Sequence, residues 1–236
     1  MMDNKHAIIL AGGKGTRLKP YTVSMPKPLV PLGDKPILEL VIKTLKSHGF
    51  TRITITVNHM ADIIIAFFGD GSKWGVSIDY TLEEKALSTM GPLTLVKDLP
   101  ENFLVMNGDV LTDLNYDEFF NKHVDSKSVF TIGSSRRFDT IDYGLLHCDK
   151  DNKLVRFEEK PKNDFLVSMG VYMVNKKVLE FIPKETFFGF DHLMYSLLES
   201  KTPVDVYEYP GYWLDIGRPS DYEKAIEKIK EKDFLK

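Results

Sequence analysis

Hydrophobic positions change period along this chain, and each change marks an element. Ala7–Leu10 is an unbroken apolar run and reads as a buried strand. Pro36 stands where a first helical position belongs and Gly49 where the chain leaves that helix. Between them Ile37, Leu38, Val41 and Leu45 recur at helical spacing. Arg52 to Val57 predicts a second strand, Ala61 to Phe68 a helix, and Val76 to Thr81 a third strand. Phe103 to Met106 is a short buried strand that runs into Asn107-Gly108-Asp109, and Glu118 to His123 reads as helix.

The second half has shorter, closer-spaced segments. Val129 to Gly133, Gly144 to Cys148, Val155 to Glu158 and Met169 to Val174 read as strands, with a hairpin turn at Asp149 to Asn152. Val178 to Ile182 and His192 to Leu198 read as helices, and Val204 to Tyr209 as a late strand. Ser220-Asp221-Tyr222-Glu223 has the spacing of a capping box opening a last helix, whose end carries the solvated charge run Glu227 to Lys232. Alternating strands and helices predict an α/β fold, a mostly parallel sheet with helices on both faces.

The chain has 236 residues, 43% of them hydrophobic, enough for one such domain with a full core. The net charge of −3 comes with no basic stripe, which argues against a nucleic-acid polymer as partner. The single Cys148, read as a small strand residue, excludes an internal disulfide and fits a reducing compartment. Polar Asp3, Asn4 and Lys5 lead directly into the first strand, so no signal peptide is expected. The longest apolar stretch, Ile63 to Phe68, is far short of a membrane span. Together these point to the cytoplasm.

The first strand opens into Gly12-Gly13-Lys14-Gly15-Thr16-Arg17. Glycines let the backbone come close to a ligand, consecutive N–H groups can cradle phosphate oxygens, and an arginine can hold a phosphate through two parallel bonds. The physical reading is a phosphate site at the carboxyl end of the first strand. Two known loops do not fit. Lys14 is followed by Gly15 where a Walker A loop needs Ser or Thr, and Leu18 stands where a dinucleotide fingerprint needs its third glycine. For the glycines alone, a surface turn is an equal reading. Further on, Lys27 lies between Pro26 and Pro28, a stiff loop that can aim an ammonium group at one spot. Asp109 and Asp215 each follow a strand-like run, and for either alone a turn or helix-capping role is the better reading.

Four segments in order, Gly-Gly-x-Gly-Thr-Arg-Leu with Pro-Lys-Pro, Gly108-Asp109, Glu159-Lys160-Pro161 and Trp213-Leu214-Asp215-Ile216-Gly217-Arg218-Pro219, resemble the sugar-phosphate nucleotidyltransferases over nearly the whole chain. The branch that it resembles is that of the mannose-1-phosphate guanylyltransferases. The resemblance implies one Rossmann-like, GT-A-like domain over residues 1–236, with a nucleotide-binding part at about 1–125 and a sugar-phosphate part at about 126–236. It implies an NTP and a sugar 1-phosphate as substrates, and Mg²⁺ held by Asp109 and Asp215. Arg17, Lys27 and Lys160 would be catalytic through their charges. Leu10, Gly12, Gly13, Gly15, Thr16, Thr89 and Asp109 would contact the nucleotide, and Gly144, Glu159, Lys160, Ser168 and Trp213 the sugar. A homodimer fits such a family. The left-handed β-helix that many members carry is not expected, because the chain stops at Lys236.

Two places depart from the family pattern. Leu87-Ser88-Thr89-Met90-Gly91-Pro92 replaces Gly-Thr-Ala-Gly near the base, and Ser168-Met169-Gly170 replaces Asn-Ala-Gly beside the sugar. Serine is shorter than asparagine and has no amide, so hydrogen bonding to the sugar differs there. GTP with a mannose- or heptose-like 1-phosphate is the favoured pair. UTP, dTTP or CTP with another hexose 1-phosphate is the alternative within the class, and a catalytically silent NDP-sugar sensor the alternative outside it.

Overall fold

A computed structural model describes residues 5–230. Asp3, Asn4 and the last two residues of the charge run, 231 and 232, lie outside the described residues. The first half contains β1 (Lys5–Leu10), β2 (Pro31–Leu32), β3 (Lys35–Pro36), α1 (Ile37–Ser47), β4 (Phe50–Val57), α2 (Ala61–Phe68), β5 (Ser77–Leu82), β6 (Asn102–Asn107), β7 (Val110–Thr112) and α3 (Tyr116–Ser126). The second contains β8 (Phe130–Thr140), β9 (Leu145–Cys148), β10 (Leu154–Glu158), β11 (Lys162–Asn175), α4 (Phe190–Glu199), β12 (Val204–Glu208), β13 (Trp213–Asp215) and α5 (Pro219–Ile229).

Seven strands form one sheet in the order β12-β8-β11-β6-β1-β4-β5. β6, β1, β4 and β5 are parallel, β12 is parallel to β8, and β11 alone runs antiparallel to both neighbours. β1 is covered on both faces, which is why it reads as a continuous apolar run. Ala7 and Ile9 pack with α1, α2 and α3 residues such as Val41, Ile64 and Phe119, whereas Ile8 packs with Leu193 and Leu197 of α4 on the other face. Each fully buried Ile or Leu here contributes about 1.5–3 kcal/mol relative to exposure. The same sheet runs through both halves of the chain.

Several boundaries differ from expectation for local reasons. Pro36 is the residue before α1 and not its first turn, because it pairs with Pro31 in the β2–β3 ribbon. The last helix starts two residues earlier than the Ser220 box implied. Pro219 takes the first helical position, and Asp221 accepts from the Arg218 N–H at 2.9 Å in place of the expected Ser220–Glu223 pair. The segment read as helix at Val178 to Ile182 is a short 3₁₀ turn, Lys176–Phe181.

The largest difference is length. β8 and β11 are 11 and 14 residues long, and in the sheet ladder their outer parts, from Ser135 to Thr140 and from Lys162 to Val167, pair only with each other. They form an arm tipped by the antiparallel β9–β10 hairpin.

Two histidines are buried in the sheet region. His6 Nε2 lies 2.8 Å from Thr54 Oγ1, and His123 Nδ1 lies 2.7 Å from Thr131 Oγ1. The other ring nitrogen of each has no partner among the described residues. Burial, aided at His6 by the Arg52 charge, lowers both pKa values from 6.5 to about 4. The unfolded chain therefore binds more protons between pH 6.5 and 4, so the stability held above pH 6.5 is lost as pH falls through that window. The expected loss from the two together is roughly 4 kcal/mol by pH 5, a fall in Tm of about 10 °C. Thermal melts from pH 7.5 to 4.5 check this, and a flat profile would refute it.

Candidate active site

A cavity of about 400 Å³ opens at the carboxyl ends of β1, β4, β5 and β6. Leu10, Gly12, Gly13, Gly15, Thr16, Arg17, Lys27, Thr89 and Asp109, nine residues singled out from sequence, all line it. Strand ends are where parallel sheets open a crevice, since the helices and loops diverge there.

The loop after β1 is held at its base by Ala11 N–H donating to Thr56 O at 3.0 Å. Among the described residues, the N–H groups of Gly12, Gly13 and Lys14 donate to no protein acceptor. Successive free donors on a loop whose Gly12 and Gly13 line the cavity are the makings of an anion cradle. Gly15 has φ +61°, and a Cβ there would lie 3.0 Å from Thr22 Cγ2 and 3.2 Å from Lys27 Cβ. Leu18 follows, fully buried, and pins the loop into a small core with Val30, Leu111, Leu214 and Ile216. That core ties the loops of Arg17 and Lys27 to the strands that carry Asp109 and Asp215.

β7 and β13 form an antiparallel ribbon in which Asp215 is opposite Val110, so Asp109 and Asp215 sit at the same end of it. Ile216 N–H donates to Asp109 O at 3.0 Å and closes that end. Lys27, on its Pro26–Pro28 loop, forms an ion pair with Asp109 Oδ2. Asp109 Oδ1 is buried and without a partner among the described residues. Burial and then the Asp109 charge raise the Asp215 pKa, against the lowering influence of Lys27 and Arg17. Asp215 Oδ2 and Arg17 Nη2 each lie 3.6 Å from the point where a Cβ on Gly217 would be, and Gly217 lines the cavity. Two carboxylates and two cations thus come together beside the cavity, which Arg17, Lys27 and Asp109 line and Asp215 does not, with one carboxylate oxygen unsatisfied.

The model of the family described as "Nucleotidyl transferase" matches residues 6–232. The chain belongs to the nucleotidyl transferase family. Among its relatives, the UTP–glucose-1-phosphate uridylyltransferase of Synechocystis sp. is 32% identical over 97% of this chain and 64% of its own length. The mannose-1-phosphate guanyltransferase of Pichia angusta is 32% identical over 91% of this chain and 61% of its own. The chain therefore spans a little over three-fifths of these relatives. The solved structure of HddC from Yersinia pseudotuberculosis complexed with GMP-PN aligns at a TM-score of 0.72 with 30% identity, covering 95% of this chain and 99% of that one.

The residues that this nucleotidyl transferase chain was expected to use on the sugar lie outside the cavity lining. Gly144, Glu159 and Lys160 are at the tip of the arm. Glu159 and the Phe157 ring lie against Gly144, and Lys160 Nζ is 3.6 Å from Asp142 Oδ1. Ser168, at the root of the arm, donates to Tyr172 OH at 3.2 Å and accepts from Gly170 N–H at 3.3 Å. Trp213 Nε1 donates to Met169 O at 2.9 Å, and its ring lies under the Arg137 guanidinium. Thr89 lines the cavity, yet its hydroxyl already accepts from Phe190 N–H at 2.8 Å.

Sequence reasoning missed Glu83, Thr56, Asn107 and Phe187, which also line the cavity. Glu83 is the most telling. It is the first residue past β5, so the strand-end rule that picked out Asp109 also points to it. Its Oε2 accepts from Leu87 N–H at 3.1 Å, while a Cβ on Gly12 would come within 2.7 Å of Oε1. Burial raises its pKa, opposed by the Leu87 bond. Thr56 Oγ1 is buried without a partner among the described residues. Phe187 carries no sequence signal, because it reaches the cavity from a loop.

Proposed function

We propose that this protein condenses GTP with a mannose- or heptose-like sugar 1-phosphate to give a GDP-sugar and pyrophosphate. The observation that carries this reading is the convergence of Arg17, Lys27, Asp109 and Asp215 beside the free N–H groups of the glycine loop. A sugar-phosphate oxygen attacks the α-phosphorus of the nucleotide, and the bond to the pyrophosphate oxygen breaks. Both reactants are anions, so the site must hold them in line and offset the developing charge. The loop N–H groups and Arg17 hold the triphosphate, with Arg17 on the departing pyrophosphate. Lys27 neutralises the reacting phosphates, and Lys160 receives the incoming sugar phosphate from the arm.

Asp109 and Asp215 fit a Mg²⁺ site. An unpartnered buried carboxylate oxygen beside a second carboxyl whose pKa is raised is a donor set short of positive charge. When bound, the ion neutralises phosphate oxygens at the reacting centre. Lys27, already on Asp109, sets how strongly that carboxylate attracts a cation.

Glu83 supports the choice of GTP. A buried carboxylate can accept two bonds, and guanine presents adjacent N1–H and N2–H donors. Uracil and thymine present a single N–H between carbonyls. The reported complex of the related HddC with GMP-PN agrees with this choice. Among the described residues no helix is long and apolar enough to cross a membrane, and with its lone cysteine the protein suits the cytoplasm.

Glu83→Gln is expected to lower kcat/KM for GTP by roughly 10- to 100-fold, the loss of a charge-assisted hydrogen bond, and to raise relative use of UTP and dTTP. An amide offers one acceptor and one donor, which matches their N3–H and O4. Pyrophosphate release over a matrix of GTP, UTP, dTTP and CTP with mannose, heptose and glucose 1-phosphates, in wild type and variant, tests both statements. No release with any pair would refute the reaction. Release with GTP that Glu83→Gln leaves unchanged would remove Glu83 from the base site.

A further inference from the structure

We propose that Phe187 stacks on the face of the nucleobase and forms the aromatic wall of the nucleotide site. Lone exposed apolar side chains are ordinary on a protein surface. Phe187 differs in where it stands: it is 61% exposed, yet it lines the cavity. Phe188 and Phe190, beside it in sequence, pack against the core that contains Ile8, Leu193 and Leu197. Phe190 stacks on Tyr172 with ring centroids 4.9 Å apart, and Phe188 on His192 at 5.4 Å. No ring stacks on Phe187. Among the described residues its one ring contact is an edge contact with His192, at 6.4 Å and 84°.

The loop that carries Phe187 is clamped to the segment 87–91. Phe188 O accepts from Met90 N–H and Gly91 N–H, both at 2.9 Å, and Phe188 N–H donates to Leu87 O at 3.0 Å. Phe190 N–H donates to Thr89 Oγ1 at 2.8 Å. The two segments approach so closely that a Cβ on Gly91 would lie 2.6 Å from Thr186 O. Backbone strain is concentrated at the same place. Ser88, which also lines the cavity, takes φ +66°, and Glu185 takes φ +51°. Non-glycine residues keep such angles where the surrounding structure over-determines them, and they cluster at ligand sites. Binding then need not order the backbone that presents Phe187, so little of the contact energy is lost to ordering.

The same bonds fix which end of the cavity Phe187 occupies. Leu87 N–H donates to Glu83 Oε2, and Leu87 O accepts from Phe188 N–H. Leu87 thus bridges the carboxylate proposed to read the base edge and the loop that carries the aromatic ring. A flat heterocycle offers both groups something: an edge to the carboxylate and a face to the ring. Gly144, Glu159 and Lys160, the residues expected on the sugar, lie outside this lining. Stacking acts on every base, because each has a π face. Phe187 therefore supplies affinity for nucleotides in general, and Glu83 the choice among them. The role rests on the nucleotide reading given above, and not on which nucleotide is used.

Equilibrium binding without the sugar substrate tests it, with GTP, UTP and inorganic tripolyphosphate as probes in the presence of Mg²⁺. Phe187→Ala should weaken the nucleotides that wild type binds by about 5- to 150-fold and leave tripolyphosphate unchanged. Phe187→Leu keeps apolar bulk without a π face and should lose nearly as much, whereas Phe187→Trp should bind nucleotides at least as tightly as wild type. GTP should quench the fluorescence of Phe187→Trp beyond any change in wild type, whose tryptophans are Trp74 and Trp213, and tripolyphosphate should not. That signal needs contact with the base and keeps the test open if Phe187→Ala fails to fold. In turnover, Phe187→Ala should raise KM for the nucleotide and not for the sugar 1-phosphate. Wild type that prefers UTP would refute the choice of GTP, and wild type that binds nucleotides without releasing pyrophosphate would refute the reaction; in both cases the Phe187 variants still decide the stacking role. Nucleotide affinity intact in Phe187→Ala, equal loss of tripolyphosphate, a rise confined to the sugar 1-phosphate KM, or a tryptophan at 187 indifferent to GTP would overturn it.

Discussion

Asp109→Asn and Asp215→Asn are each expected to abolish most NDP-sugar formation, by about 10²–10³ in kcat, while leaving the protein folded. The amide keeps the shape and one acceptor oxygen but removes the charge that a divalent cation needs. The two carboxyls share one end of the β7–β13 ribbon, so they act as a unit, and the double variant should cost little more than the worse single one. Stability moves the other way for Asp215. Burial and the Asp109 charge raise its pKa, so its ionised form at neutral pH costs folding free energy. Asp215→Asn should therefore melt at the wild-type temperature or above it while losing activity. EDTA should stop wild-type turnover, and added Mg²⁺ should restore it. Full activity in either single variant, or turnover indifferent to EDTA, would show that the pair is structural and that Lys27 and Arg17 carry the neutralisation alone.

The parts of this molecule that were legible in sequence are those where one local pattern decides the structure. β1, β4 and β6 are covered on both faces or nearly so, and their apolar runs mark them to within two residues, whereas the edge strand β5 was legible by its Val76, Ile78 and Tyr80 alternation. The outer halves of β8 and β11 are not covered at all. Arg136, Arg137 and Asp139 pair with Leu166, Phe165 and Asn163 in a regular ladder, yet charged and apolar residues are mixed and exposed on both faces, which leaves no periodicity to read. The end of the cavity proposed to hold the phosphates was legible for a related reason. Glycine spacing and a lysine between prolines constrain the backbone locally, and the residues concerned line one cavity. The end proposed to hold the base depends on contacts between distant segments. Glu83 stands out because the end of β5 brings its carboxyl against Gly12, a relation that neither segment states by itself. The pairing of Asp109 with Lys27 is likewise tertiary.

That pairing separates the two loop cations in a way that their sequence motifs do not. Arg17→Ala and Lys27→Ala should each lower kcat by about 10²–10³, the loss expected on removing one charged group from the developing negative charge. Their effects on folding should differ. Arg17 is exposed and influences Asp215 only through its field, so Arg17→Ala should melt close to wild type. Lys27 is largely buried, and its removal leaves Asp109 and Asp215 side by side with only Arg17 near them. One buried partner lost from an ion pair costs several kcal/mol, on the order of 3, so Lys27→Ala should lower Tm as well as kcat. Acidification distinguishes this from loss of packing. Protonating one of the two orphaned carboxyls relieves the repulsion, so the stability gap between Lys27→Ala and wild type should narrow as pH falls from 7 towards 5. Lys27→Arg should restore the melting temperature but not the rate, because a planar fork satisfies Asp109 yet does not place its charge where the ammonium did. Melts at several pH values, set beside single-turnover rates for all four proteins, measure each of these. Near-normal rates in both alanine variants would remove the loop cations from the reaction. A Lys27→Ala protein as stable as wild type would show that the Lys27–Asp109 contact contributes nothing to the fold.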